Sequence, residues 1–324
     1  MKAIVHDRYG PPEVLALKEI GVPKPGKGQV RLKVHAAGVD MGVWHMVAGM
    51  PRLIRLGSGL RGPRNAVPGM EVAGTVDALG PNVSGVRVGD AVYGAGKGSF
   101  AEFTIAKPDR IARMPANVTF EQAAAAPTSG TTALHAVRDK GKVQAGQHVL
   151  VIGAGGGVGS FAVQLAKAFG AEVTGVCSTA KADFVRSLGA DDVIDYTKED
   201  FAERPTKFDL IVDLAGLRSL AHLRRALTPK GTLVLVGGEG GGSFAGGALK
   251  RTLGASMASP FAGGQRLISL LSIAHTDDLE ALRDLIESGK VTPAVDRAYP
   301  LAEAAEAVRR LERADVLGKV VLRA

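Results

Sequence analysis

Val30, Leu32 and Val34 alternate with Arg31, Lys33 and His35, the period-two pattern of a strand with one buried face. Similar short apolar runs recur over the first 120 residues, broken by "GVPKPGKG", "VPGMEVAG" and "GPNVSGVRVGD". Such punctuation predicts a small, barrel-like β domain with long loops. The period changes in "TFEQAAAAPTSGTTALHAV", which reads as helical, and Thr119 with Gln122 has the spacing of a capping box. From residue 148 strand and helix patterns alternate, with strands predicted at 148–153, 172–177, 192–195, 208–214 and 231–237 and a sixth near 255–259. This order predicts a doubly wound parallel sheet. Beyond Asp277 come a helix in "DDLEALRDLIESGKV", the segment "AVDRAYP", a helix in "LAEAAEAVRRLERA" and a closing strand in "GKVVLRA". Their pattern resembles that of the first domain, so the C-terminal segment is expected to return to it.

The stretch "HVLVIGAGGGVGSFAVQLAKAFGAEVTGVCST" places five glycines between a strand and a helix. Val158, Phe161, Ala162, Leu165 and Phe169 recur at helical spacing, and Gly170 is a natural stop. Lys167 falls in the last turn, where a cation suits the helix dipole. A turn without Cβ atoms lets backbone approach a ligand, and the helix start offers unpaired N–H groups to a pyrophosphate. The frame Ala154, Gly155, Gly156, Gly157, Val158, Gly159 matches G-x-G-x-x-G with alanine in the first place. A flexible glycine loop without ligand is the competing reading. Where an NAD site usually carries an acid, about twenty residues past the glycines, this chain has Cys177 and Ser178, then Thr179 and Lys181, with no acid before Asp183. Hydroxyls and an ammonium suit a 2′-phosphate, so NADPH is expected over NADH. Taken alone, Lys181 reads better as a solvated lysine at a helix start. The segment "GGEGGGSFAGG" follows a strand end, where such sheets bind ligands; a plain linker is the alternative.

Composition narrows the classes. A chain of 324 residues with 46% apolar content suits two domains with real cores. No apolar run is long enough to span a membrane, and "MKAIVHDRYG" lacks a signal-peptide core, so a cytoplasmic protein is expected. The single cysteine, Cys177, excludes an internal disulfide and a multi-cysteine metal site. The net charge is +8, yet there is no long Lys/Arg run and aromatics are 5%, so nucleic acid is not the expected partner. A positive field also favours an anionic coenzyme.

The words "KAIV", "VRLKVHAAGVD", "VPGMEVAGTVDALG", "VRVGDAVYG", "GSFAEF", "GAGGGVG", "SLGADDVIDY" and "GKVVL" occur in that order over nearly the whole chain. Together they resemble the medium-chain dehydrogenase/reductase superfamily, and most nearly its zinc-free, zeta-crystallin-like quinone oxidoreductase branch. The resemblance implies an α/β protein with a β-rich GroES-like catalytic domain over 1–122 and 272–324 and a Rossmann doubly wound parallel sheet over 123–271. It implies a homodimer joined through the nucleotide domains. Zinc-dependent relatives carry a cysteine ligand where this chain has Asp40 and His-Glu where it has Met70 and Glu71; their third ligand region corresponds to Ala123, Ala124, Ala125 and Ala126. Asp40 and Glu71 alone do not make a zinc site, so no metal is expected. By the same resemblance Lys181 and Tyr196 hold the 2′-phosphate, with Arg313 the nearest match to a contributing C-terminal arginine. Thr132 matches a threonine beside the nicotinamide, and Gly237 and Gly238 match the turn at its ribose.

Without a metal to polarise a carbonyl, the acceptor should already be electron-poor: a quinone or an activated C=C of an enone. The expected work of the protein is alignment. Candidate substrate-side residues are Asp40, Trp44 and His45. Trp44 could stack on a flat ring and His45 could donate a proton; a core anchor and a surface histidine are the alternatives. Arg52, Arg55, Arg61 and Arg64 share one loop, readable as a lid over an anionic acceptor or as a solvated insertion. A carbonyl or alcohol dehydrogenase of the same superfamily, and a nucleotide-binding protein without turnover, remain the competing functions.

Overall fold

The structure, a computed structural model, describes residues 1–237, 247, 251–255 and 262–324. The chain divides into two compact units, Met1–Thr131 with Ile273–Ala324, and Thr132–Ser272.

In the first unit β1 (Lys2–Val5) and β2 (Ala16–Glu19) form an antiparallel pair. The main sheet contains β3 (Val30–Val39), β4 (Glu71–Leu79), β5 (Ala91–Lys97) and β6 (Phe103–Arg113). Each of these pairs with the next, and β6 pairs back onto β3, so the four strands close into a small barrel. The predicted alternation is realised: Val30, Leu32 and Val34 are buried in the core with Val72, Val76, Val92 and Ile111, while Lys33 faces out. Beyond Val34 the register shifts and the rest of the strand is buried on both faces. The C-terminal segment returns as expected. Its last strands, Val295–Pro300 and Lys319–Arg323, extend this sheet beyond β3, and the latter pairs antiparallel with Ala36–Val39. The helix Thr276–Glu287 buries Leu279, Leu282 and Ile286, and the Tyr93 hydroxyl donates to Leu279 O at 2.5 Å. The capping box forms: Gln122 N donates to Thr119 Oγ1 at 3.3 Å and Thr119 N to Gln122 Oε1 at 3.0 Å.

The second unit is a six-stranded parallel sheet. Its strands are β7 (His148–Ile152), β8 (Glu172–Cys177), β9 (Asp192–Asp195), β10 (Phe208–Asp213), β11 (Leu227–Leu235) and β12 (Arg266–Ser269). They lie in the order β9-β8-β7-β10-β11-β12, the doubly wound order of dinucleotide-binding sheets. The sixth strand is Arg266–Ser269, paired with Thr232–Leu235. Of the segment predicted near 255–259 only Ala255 is described; the rest lies outside the described residues. Residues 251–255 are helical and Ala255 is buried at their end. A short run of small apolar residues has no period that separates strand from helix; the pairing with β11 is a tertiary choice. Residues 256–261 lie outside the described part.

Candidate functional site

The glycine turn of the second unit joins β7 to the helix Gly157–Ala168. Gly153 has φ +88°, and the N–H groups of Gly153 and Ala154 donate to Val176 O at 3.0 and 3.1 Å, tying the turn to β8. Ala154 is fully buried. Its methyl lies 3.1 Å from where a Cβ at Gly175 would stand, so β8 makes room for alanine in the first place of the frame. A Cβ at Gly159 would sit 2.2 Å from Gly153 O, so only glycine lets the helix start this close to the turn. Gly156 is the N-cap and supplies no side-chain acceptor. The first-turn N–H groups, from Gly157 and Val158 onward, are thus left to an anion. The cradle fits a dinucleotide pyrophosphate.

The adjacent strand ends gather the predicted 2′-phosphate groups. A Cβ at Gly155 would meet Lys181 Cδ at 2.8 Å and Lys181 Cβ at 3.1 Å: the lysine chain lies across this glycine. Ser178 precedes the turn Thr179–Lys181 without spending its hydroxyl on a cap. Tyr196 follows β9, donates its N–H to Cys177 O at 3.1 Å and leaves its ring 52% exposed. Asp195, which sequence reasoning passed over, sits among them. It accepts from the Thr179 hydroxyl, from Thr197 N at 3.0 Å and from Thr197 Oγ1 at 2.7 Å, and Lys198 Nζ is 3.3 Å away. The Thr179 and Thr197 hydrogen bonds hold its carboxyl far below the usual range. Cys177 is a buried free thiol whose pKa burial pushes up, with Asp195 adding to the shift.

At the far strand ends, Gly237 N donates to Asp213 O at 3.1 Å, and a Cβ there would lie 1.8 Å from Leu214 O. Asp213 is itself buried, held by Arg251 and by Gly216 N at 3.2 Å; burial raises its pKa. Gly238 lies outside the described residues. Thr132 is half-buried on the helix Pro127–Leu134. Arg313 belongs to the first unit, exposed at the end of the helix Ala304–Glu312.

The substrate-side candidates cluster in the first unit around the helix Met41–Ala48. Asp40 is its N-cap: Oδ1 accepts from Val43 N at 2.9 Å, while Oδ2 is buried with no partner. A Cβ at Gly42 would stand 3.0 Å from Asp40 Oδ1 and 3.3 Å from Met70 Cε, which puts Met70 over the helix start. Trp44 donates its indole N–H to Glu312 Oε1 at 2.5 Å and packs on the core. His45 meets Trp44 edge-on, with ring centroids 5.0 Å apart, and its Nδ1 lies 2.7 Å from Met50 O. A carbonyl only accepts, so Nδ1 carries a hydrogen.

Beside Asp40 lies a pair that no local pattern announced. Glu71 and Lys319 are buried, with Lys319 Nζ donating to Glu71 Oε2 at 2.5 Å and Thr128 N to Oε1 at 2.8 Å. Burial pushes the Glu71 carboxyl up to about 7; Lys319 pulls it back and Asp40 pushes it further. Of the loop arginines, Arg55 stacks 4.6 Å over the Tyr9 ring and donates to Gly49 O at 2.9 Å, a bracing role. Arg64 reaches Gly57 O at 3.4 Å, and Arg52 and Arg61 are exposed.

Comparison with known proteins places these geometries. Residues 26–116 match the family described as the alcohol dehydrogenase GroES-like domain, and residues 188–322 the one described as zinc-binding dehydrogenase. The chain is 36% identical to an NADPH-dependent alkenal/one oxidoreductase of Arabidopsis thaliana, over 99% of this chain and 79% of that protein. It is similar to the solved quinone oxidoreductase from Coxiella burnetii, with TM-score 0.86, 31% identity, and 100% and 99% of the two chains covered. A solved NAD-dependent alcohol dehydrogenase gives TM-score 0.85 at 30% identity, over 100% of both chains.

Proposed function

The chain belongs to the medium-chain dehydrogenase/reductase family, in its quinone oxidoreductase branch, and from that premise we propose that it reduces quinones or the activated C=C of enones with NADPH, without zinc. The observation that carries the coenzyme preference is Lys181 laid across Gly155, next to Ser178 and Tyr196, at the end of β8, which itself carries no acid; the neighbouring Asp195 carboxylate is engaged by Thr179 and Thr197. In this reading the main chain of Ala154, Gly155, Gly156, Gly157 and Val158 holds the pyrophosphate, and Ser178, Lys181 and Tyr196 hold the 2′-phosphate. Thr132, Gly237 and Gly238 border the nicotinamide end. The bound coenzyme supplies the hydride. The protein's own residues bind, orient and exclude water.

The donor set beside Asp40 weighs against a zinc site. Both oxygens of Glu71 are taken by Lys319 and Thr128 N, and one oxygen of Asp40 caps a helix. One carboxylate oxygen remains, where zinc needs three or four ligands. Asp40 and His45 are the substrate-side candidates of this reading, and Trp44 fixes the helix that carries them. We read the protein as a homodimer of the cytoplasm; among the described residues no helix is long and apolar enough to cross a membrane. The test is coenzyme oxidation with a panel of 1,2- and 1,4-quinones and enones, run with NADPH and with NADH. Turnover with NADPH and weaker turnover with NADH is the expected result. No oxidation with any acceptor, or a preference for NADH, rejects the proposal.

A further inference from the structure

The first unit contains a pocket that the redox reading does not use. Its volume is about 200 Å³. An apolar cavity of about 150 Å³ holds one benzene, so this one takes a single substituted ring. Its walls come from His6 just after β1, from Val43 and Met46 on the helix that Asp40 caps, and from Val67, Pro68 and Met70 in the loop before β4. Most of the polar groups on its wall are already committed. The Ser58 hydroxyl lies 2.8 Å from the Tyr9 hydroxyl and 3.2 Å from Ile54 O. Asn65 Nδ2 donates to Val67 O at 2.7 Å, and Arg64 is exposed at the rim.

His6 is different. It is only 4% exposed, and its Nδ1 lies 3.3 Å from Arg8 O. The carbonyl accepts, so Nδ1 carries the hydrogen and Nε2 of the neutral ring is a lone pair. Among the described residues no side chain or main-chain group serves that nitrogen. Burial lowers the His6 pKa, which keeps the ring neutral near pH 7. An acceptor on an otherwise apolar wall favours a ligand that carries a donor.

We infer that this pocket binds a compact, uncharged, apolar molecule bearing one hydroxyl, of the phenol class, with the hydroxyl donating to His6 Nε2. A quinone or ketone of the same size offers acceptors only and gains nothing from His6. The inference stands apart from the coenzyme reading, since every wall residue belongs to the first unit.

The test is a protein-observed NMR titration with phenol and with toluene, a ring of similar size without the donor, in the absence of NADPH. Trp44 is the one tryptophan of the chain and sits on the helix that supplies Val43 and Met46, so its indole resonance and those two amides are the probes. Both ligands should give saturable shifts, with phenol about fivefold to tenfold tighter, the value of one hydrogen bond. His6→Phe should bring the ratio close to one, and His6→Gln, which restores an acceptor, should recover it. If His6→Phe does not fold, the phenol-to-toluene ratio of the unmodified protein decides alone. Equal affinities there, or no saturable shift at the three probes, overturn the inference. Because no coenzyme is present, the outcome does not depend on redox activity.

Discussion

Replacing Glu71 with glutamine should change how stability depends on pH. Glu71 is fully buried and Lys319 only 2% exposed, so solvent screens neither charge. The carboxyl titrates at about 7 in the folded chain, against an ordinary value of 4.5. Between those values the folded state holds a proton that the unfolded state has released, so stability falls as pH rises. The contribution is present in full below pH 4.5 and is gone once pH passes about 7. The gap corresponds, at about 1.4 kcal/mol per pH unit, to on the order of 3 kcal/mol. Glutamine keeps the shape and removes the titration. Below about pH 7 the parent's own Glu71 is protonated and gives Lys319 no counter-charge, so any deficit the variant has there should shrink, and can reverse sign, by on the order of 3 kcal/mol between about pH 5 and about pH 8. Urea unfolding of both proteins across that range measures it. The groups that face Glu71, Asp40 and Lys319, are present in both proteins, and Asp191, Asp195 and Asp200, whose pKa values are lowered, release their protons below the window. A deficit that stays constant with pH would refute the reasoning, because Glu71 would then hold one protonation state throughout.

Lys181→Ala should weaken NADPH binding by about 10- to 100-fold, the worth of one charge-assisted contact, and NADH binding by less than about threefold; calorimetry with both coenzymes decides, and equal losses end the assigned role. Gly159→Ala forces a methyl to 2.2 Å from Gly153 O, so the turn must open; stability should drop by about 1–3 kcal/mol and coenzyme affinity with it, read by thermal unfolding and calorimetry. Trp44→Phe removes the hydrogen bond to Glu312 and should cost about 1 kcal/mol of stability while leaving kcat close to the parent's. A collapse of kcat would instead place the indole against the acceptor. Metal analysis of freshly purified protein should find zinc well below one per chain, and chelators should leave turnover unchanged.

Local pattern was a good guide where the chain's choices are local. Strands β8 and β9 lie at 172–177 and 192–195 as the apolar runs indicate, because glycine or turn residues bound both. The capping box at Thr119 and the glycine turn are likewise written within a few residues. The sixth strand is not. Arg266–Ser269 has only two apolar residues, and its identity comes from lying beside Leu233 and Val234. Asp40 has the residue type of an N-cap just before an apolar helix, a signal present in the sequence but outweighed there by its chemical interest. Glu71 and Lys319 meet across 248 residues, so no window of sequence contains the pair. The one hint was a lysine inside an apolar strand, in "GKVVL". His6 is of the same kind: its isolation depends on what Arg8, Ser58 and Asn65 do with their own polar groups.

The strand Lys319–Arg323 lies between Val295–Pro300 and β3, and it carries the partner of Glu71. That placement sets an order of completion on the ribosome. The second unit is one continuous stretch and can close while the end of the chain is still being translated. The barrel, although its own strands emerge first, waits with the Ala36–Val39 edge unpaired and Glu71 without its partner until Lys319–Arg323 is available. The half of the molecule born earliest is therefore the last to mature, and a nascent chain stalled just short of Lys319 would display that edge to chaperones and proteases.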